Sequence, residues 1–231
     1  MSYFLLGVST ISLMFAIILL LADVRDIVKV KKVNEELQHI KDEAVTPHVN
    51  DTTPNLKDEQ TSNARVVSPD NYVGWITIEG TNIDYPIVKY DDNNYYQNHD
   101  AFGAESKYGA IFMDCRNADI YSDTYTLIYG HNSTYSLMFS DLKKLINNTS
   151  ANVTLTLEDN NNIAINYKIG AISILDETSP IFNFCSYEVL LEELSKEVLY
   201  YRNIDYNPIL LSTCYGPRGT TKRLVVTLTM E

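Results

Sequence analysis

The chain is 231 residues long, 45% hydrophobic and 21% charged, a composition that excludes wholesale disorder and allows one ordinary domain plus an extra segment. Eighteen basic against thirty acidic side chains leave a net charge of −12, so the surface repels phosphate backbones and no nucleic-acid partner is expected. The three cysteines, Cys115, Cys185 and Cys214, are too few for a disulfide scaffold and lack CxxC or Cys/His spacing, so no metal site is expected.

The first element is apolar. No charged side chain occurs from Met1 to Ala22, and residues 4–22 supply about the 20 apolar residues a membrane-crossing helix needs. No basic region precedes the run and no small-x-small cleavage site succeeds it, so an uncleaved anchor over 1–22 is expected rather than a removed signal peptide. Arg25, Lys29, Lys31 and Lys32 come next. Read alone, the positive-inside rule would keep the C-terminal bulk of the chain in the cytoplasm, but Asp23, Asp26, Glu35 and Glu36 dilute the cluster, and long domains translocate largely regardless of charge. Residues 23–65 are polar, contain Pro47 and Pro54, and show only a short helical pattern around 33–40, which suits a stalk.

Beyond residue 66 the pattern becomes short alternating or β-branched runs, at 75–79, 83–89, 110–113, 125–129, 153–157, 163–175, 209–213 and 224–229. Two stretches break the period of two. Residues 137–146 and 187–202 carry apolar side chains at helical spacing and read as amphipathic helices lying against a sheet. Helices do not alternate with the strands, so the chain is mainly β, a closed eight-stranded barrel or a sandwich rather than a βαβ fold.

Residues 208–229 are two apolar strands joined by a Gly/Pro turn, a β-hairpin by its punctuation. Cys214 ends the first strand and Arg223 opens the second, so the two face each other across an antiparallel pair, with Cβ atoms roughly 4.5 to 5.5 Å apart. A guanidinium there favours thiolate over thiol and can hold the oxyanion that forms when a thiolate attacks a carbonyl. Arg218, in the turn, reads as solvated. A free cysteine on its own is most often a small buried hydrophobe. Among the histidines, His39 and His48 fall in the stalk and His99 in a stretch of no clear pattern. His131 differs, because it comes after an apolar strand at a glycine turn, from which it can reach a neighbouring strand and serve as acid or base for a thiol.

These residues sit within longer matches. The stretches NYVGWITIEGTNIDYPIV (71–88), GAIFMD (109–114), LIYGHN (127–132), LSTC (211–214) and RLVV (223–226) occur in the order found in class B sortases, membrane-anchored cysteine transpeptidases of Gram-positive bacteria. The resemblance covers about 66–231, and the helix expected before the Cys-bearing strand is similar to one that class B members carry. It implies a sortase-type barrel in which Cys214 is the nucleophile, His131 the acid/base, Arg223 the group that positions substrate and stabilises the oxyanion, and Ser212 a contact to the sorting signal. The implied partners are secreted proteins bearing a C-terminal sorting signal and an amine of a peptidoglycan precursor or cross-bridge. The implied location is the cell membrane, single-pass, with the catalytic domain outside.

The resemblance calls for no cofactor. Leu210, Tyr215 and Gln97 depart from residues common in the family and bear on substrate preference. Residues 178–184 are expected either to wall the substrate groove or to cap a hydrophobic loop. Cys115 and Cys185 match no family role and read as buried thiols rather than a disulfide. Two other readings remain open at this point: a cell-wall cysteine peptidase with water as acceptor, and a membrane-tethered binding module whose Cys and Arg merely pack.

Overall fold

The computed structural model describes residues 2–45, 71–118, 123–157 and 163–230, with side chains in the first stretch described from 11 to 38. The chain divides into two compact units, Met1–Thr53 and Pro54–Glu231.

The first unit is built on one helix, α1 (Ser2–Val45). It outruns the short pattern expected at 33–40 because no Gly or Pro interrupts the chain between Gly7 and Pro47. Lys32 and Glu36 pair one turn apart on it at 3.9 Å. The expected membrane span is not borne out: among the described residues no helix is long and apolar enough to cross a membrane. Of the apolar run 4–22, described side chains begin only at residue 11. The rest of the expected stalk, 46–65, lies outside the described residues.

The second unit is a β-barrel. Its strands are β1 (Tyr72–Ile78), β2 (Asp84–Val88), β3 (Ile111–Met113), β4 (Thr126–Tyr129), β5 (Val153–Leu157), β6 (Ala164–Asp176), β7 (Val198–Tyr201), β8 (Ile209–Cys214) and β9 (Lys222–Met230). They run in the order β5-β1-β2-β3-β4-β8-β9-β6, and a β5–β6 pairing closes the ring, so the eight expected strands form the expected closed barrel. Closure pairs the two terminal strands of the ring, β5 and β6, along part of their length. Two neighbouring pairs are parallel, β2–β3 and β4–β8; the others are antiparallel.

The ninth strand was not expected. Helix α2 (Tyr187–Lys196) starts at Ser186, whose hydroxyl accepts from Val189 N at 3.5 Å, but it stops at Lys196 instead of continuing to 202. Thirteen-residue β6 is covered by β5 only from Ala164 to Tyr167, which leaves part of its edge open. Val198, Tyr200 and Tyr201, β-branched and aromatic, pair with Ser173, Ile172 and Ala171 on that edge. A tertiary vacancy thus overrides the helical spacing of 198–202.

The second helix expected, at 137–146, is a 3-10 helix over Phe139–Asn147. Its buried apolar side chains, Phe139, Leu142 and Leu145, recur every three residues, which matches three residues per turn better than 3.6. Outside the barrel wall, Leu190 and Leu194 of α2 cover Leu127 (β4), Leu210 (β8), Val225 (β9), Ala171 and Leu175 (β6), together with Ile181. With one face of each strand turned into the barrel and the other under this layer, β8 is buried from Ile209 to Thr213, and half-buried Cys214 is its first residue with access to solvent.

Candidate active site

Strands β4 and β8 are parallel, with Tyr129 opposite Ser212, so both chains leave the barrel at the same rim. His131 stands two residues past Tyr129 and Cys214 two past Ser212. Three hydrogen bonds continue the register beyond the strands. Gly130 N donates to Ser212 O at 3.2 Å, Thr213 Oγ1 donates to Gly130 O at 2.7 Å, and Asn132 Nδ2 donates to Cys214 O at 2.9 Å. Gly130 is required here by space: a Cβ at this position would lie 2.7 Å from Cγ of the fully buried Phe139.

Cys214 pairs with Arg223 across the β8–β9 hairpin, as the sequence indicates. Tyr215 N donates to Lys222 O at 2.9 Å to close the turn, and Gly216 and Gly219 supply its left-handed φ values of 108° and 82°. Arg218 is exposed at the tip.

The side chains of His131, Cys214 and Arg223 line one cleft of about 290 Å³, together with Ser212, Thr213, Gln97, Asn93, Arg116, Tyr129, Glu177 and Phe182. His131 Nε2 lies 2.9 Å from the backbone carbonyl of Gln97. A carbonyl only accepts, so this nitrogen carries the proton and donates, which leaves Nδ1 as the acceptor of the neutral ring. The Ser212 hydroxyl is buried in the cleft wall with no hydrogen-bond partner among the described residues. Phe182 of the 178–184 segment lines the cleft, while Ile181 is buried in the apolar layer with Phe184 packed against it, so neither of the two alternatives read from sequence excludes the other.

The opposite wall hangs on Asp114, which is fully buried. Its carboxylate accepts from Arg116 Nε (2.9 Å), Nη2 (2.7 Å) and backbone N (3.0 Å), from Tyr129 Oη (2.9 Å) and from Asn93 Nδ2 (2.9 Å). Burial alone would push this carboxyl up, but the donors from Arg116 and Tyr129 outweigh it and hold Asp114 below the usual carboxylate range. Burial, then the Asp114 charge, pushes the Tyr129 phenol well up, so it stays a neutral donor. Arg116 also donates to Phe182 O at 2.7 Å and lies 4.8 Å over the Phe184 ring. One buried charge therefore fixes three of the cleft-lining side chains, Asn93, Arg116 and Tyr129, and Arg116 in turn holds the backbone of Phe182.

Sequence reading singled out His131, Cys214, Arg223 and Ser212, and all four line the one cleft. It missed Asn93, Arg116, Tyr129 and Glu177, which come from four separate segments. Cys115 and Cys185 are free and half-buried. Among the described residues no group of three or more His, Cys, Asp or Glu side chains could hold a metal ion.

The profile of the Sortase domain matches residues 76–231. Sortase B of Listeria monocytogenes is 30% identical to this chain over 210 residues, 84% of each sequence. Among solved structures, sortase B of Clostridium perfringens is 28% identical, with a TM-score of 0.59 over 71% of this chain and 96% of that one. The fold of Bacillus anthracis sortase B covers 90% of this chain and 100% of its own, with a TM-score of 0.66 at 23% identity.

Proposed function

Because the chain belongs to the sortase family and its relatives are class B members, we propose that it is a transpeptidase that cleaves an NPxTx-like sorting signal after threonine and transfers the protein to an amine of peptidoglycan or its precursor. In the first half-reaction the Cys214 thiol gives its proton to His131 as the sulfur attacks the threonyl carbonyl carbon, the C–N bond breaks, and His131 passes that proton to the departing amine. A thioester then joins enzyme and protein. In the second, the acceptor amine attacks that thioester and passes a proton to His131, and the Cys214 sulfur leaves and takes that proton back as the thiol. In both tetrahedral intermediates the Arg223 donors take up the negative charge on the former carbonyl oxygen.

What supports these roles is the cleft that the three side chains share. Ser212 fits a substrate contact for a separate reason. A buried hydroxyl without a partner costs about 1–3 kcal/mol, so a peptide carbonyl that accepts from it displaces no existing bond. Incubation with a sorting-signal peptide and a diamino acceptor, with mass spectrometry of the products, tests the reaction. The expected product is the conjugate of the N-terminal fragment with the acceptor. Amine-independent hydrolysis would make the protein a peptidase, and an uncut peptide would remove the reading.

The same proposal orders the chain as an anchor over 1–22, a stalk over 23–65 and an extracellular catalytic domain over 66–231. The anchor is supported by the uncharged run from Met1 to Ala22 and by the exposure of Ile11, Leu13, Phe15 and Leu20, an apolar surface that water disfavours. In cells making the full chain, the protein is expected to stay in the membrane pellet after alkaline carbonate extraction. Added protease is expected to degrade the catalytic domain from outside. Release by carbonate rules out the anchor, and protection from protease rules out the orientation, each without touching the chemistry.

A further inference from the structure

Arg223 carries five N–H donors in a rigid fork, and a fork stabilises an oxyanion only if it is already aimed. Two of its bonds, from Nη1 to Thr220 O at 3.0 Å and to Lys222 O at 3.1 Å, stay within its own hairpin. They tie the guanidinium to the turn that carries it and make no link to another element. The third bond differs: Nη2 donates to the Glu177 carboxylate, which lies just past the end of β6, 46 residues away in sequence.

Glu177 is itself held. Its backbone N donates to Thr221 O at 2.7 Å. The neighbouring Asp176 carboxylate accepts from Thr178 N (3.1 Å), Thr178 Oγ1 (2.8 Å) and Thr221 Oγ1 (2.6 Å), which clamps the end of β6 to the β8–β9 turn. Those bonds, Thr221 first, hold the Asp176 carboxyl down at about 2, so the clamp stays charged through any working pH.

We infer that Glu177 is a positioning residue: its carboxylate holds the Arg223 guanidinium over the cleft, leaving two N–H groups free to meet the substrate carbonyl. The inference rests on the oxyanion role proposed for Arg223. The Glu177 side chain is 46% exposed and that of Arg223 22%, and an ion pair so open to water adds little to fold stability. Its loss should therefore appear in the chemistry and in the dynamics of the guanidinium, not in the melting temperature.

The test uses Glu177→Ala and Glu177→Asp in the full chain, with two readouts. In steady-state cleavage of the sorting-signal peptide, Glu177→Ala is expected to lower kcat roughly tenfold, less than deleting an oxyanion donor outright because the donor is loosened rather than removed. KM should change much less, and Glu177→Asp should recover part of kcat. Independently, the order parameter of the Arg223 Nε–H group, assigned by loss of its signal in Arg223→Lys, should fall in Glu177→Ala and be largely retained in Glu177→Asp. An unchanged order parameter overturns the inference, as does a kcat loss that tracks the melting temperature and is not rescued by aspartate. If the wild-type protein leaves the peptide uncut, the proposed function fails, while the order parameter still decides whether Glu177 holds Arg223.

Discussion

Replacing Cys214 by alanine is expected to abolish conjugate formation, with a loss of at least about 10⁴-fold in kcat, the scale seen when a nucleophile is removed and only substrate binding and oxyanion donors remain. The loss should be chemical and not structural. Cys214 is held in place by its backbone, through pairing with Arg223 and through the bond its carbonyl accepts from Asn132. Alanine keeps both, and only a half-buried sulfur is lost at a strand end. Mass spectrometry of the reaction mixture, paired with circular dichroism and a melting curve, separates the two effects. Retained conjugate formation would refute the nucleophile assignment. Loss of activity together with a collapsed melting transition would return the residue to a packing role.

How much of this arrangement could be read before folding depends on the range of the interaction. Period-two runs located all eight barrel strands, because each is buried on at least one face and the alternation records it. The Cys214–Arg223 pair was readable for the same reason: a hairpin ties register to the turn between its strands, so two residues flanking the turn must meet. The position of His131 was suggested by its glycine turn, but its alignment with Cys214 comes from the parallel β4–β8 pairing, for which no local signal exists. The length of α2 failed for a related reason. Residues 198–202 have helical spacing, and only the open edge of β6 makes a strand of four of them.

The groove wall was the least legible part. Asp114, Asn93, Tyr129 and Phe182 are far apart in sequence, and Asp114 and Arg116 alone, two residues apart, give no hint that the carboxylate has five donors. Glu177 and Arg223 are likewise brought together only by the pairing of β6 with β9, in which Asp176 meets Lys222. The residues proposed for the chemistry were therefore visible in the sequence, while those that surround them in the cleft were not.

That distinction gives the second large expected effect. Asp114→Asn keeps the size of the side chain but replaces one acceptor oxygen with an NH₂ group and removes the charge. The new donor must then face Arg116, Tyr129 or Asn93, all of which already donate to this position. Breaking a buried ion pair typically costs about 3–5 kcal/mol. Because the Arg116 side chain is 41% exposed, so that water can resolvate it, the lower end, about 3 kcal/mol, is expected. At ~2–4 °C per kcal/mol for a domain of this size, the melting temperature should fall by roughly 6–12 °C.

The pH dependence fixes the sign independently. The folded state holds Asp114 below its ordinary value, so the unfolded chain binds its proton more readily. The stability this carboxylate contributes is therefore fully present above the unfolded value of roughly 3.9 and is lost as pH falls through the lower folded one. The melting temperatures of wild type and Asp114→Asn should thus be well separated at pH 7 and converge below about pH 4. A gap that persists unchanged into acid would mean that the charge of Asp114 is not what holds the wall. Since Asn93, Arg116, Tyr129 and Phe182 all line the cleft, the variant should also raise KM for the sorting-signal peptide at temperatures where it remains folded, with kcat less affected.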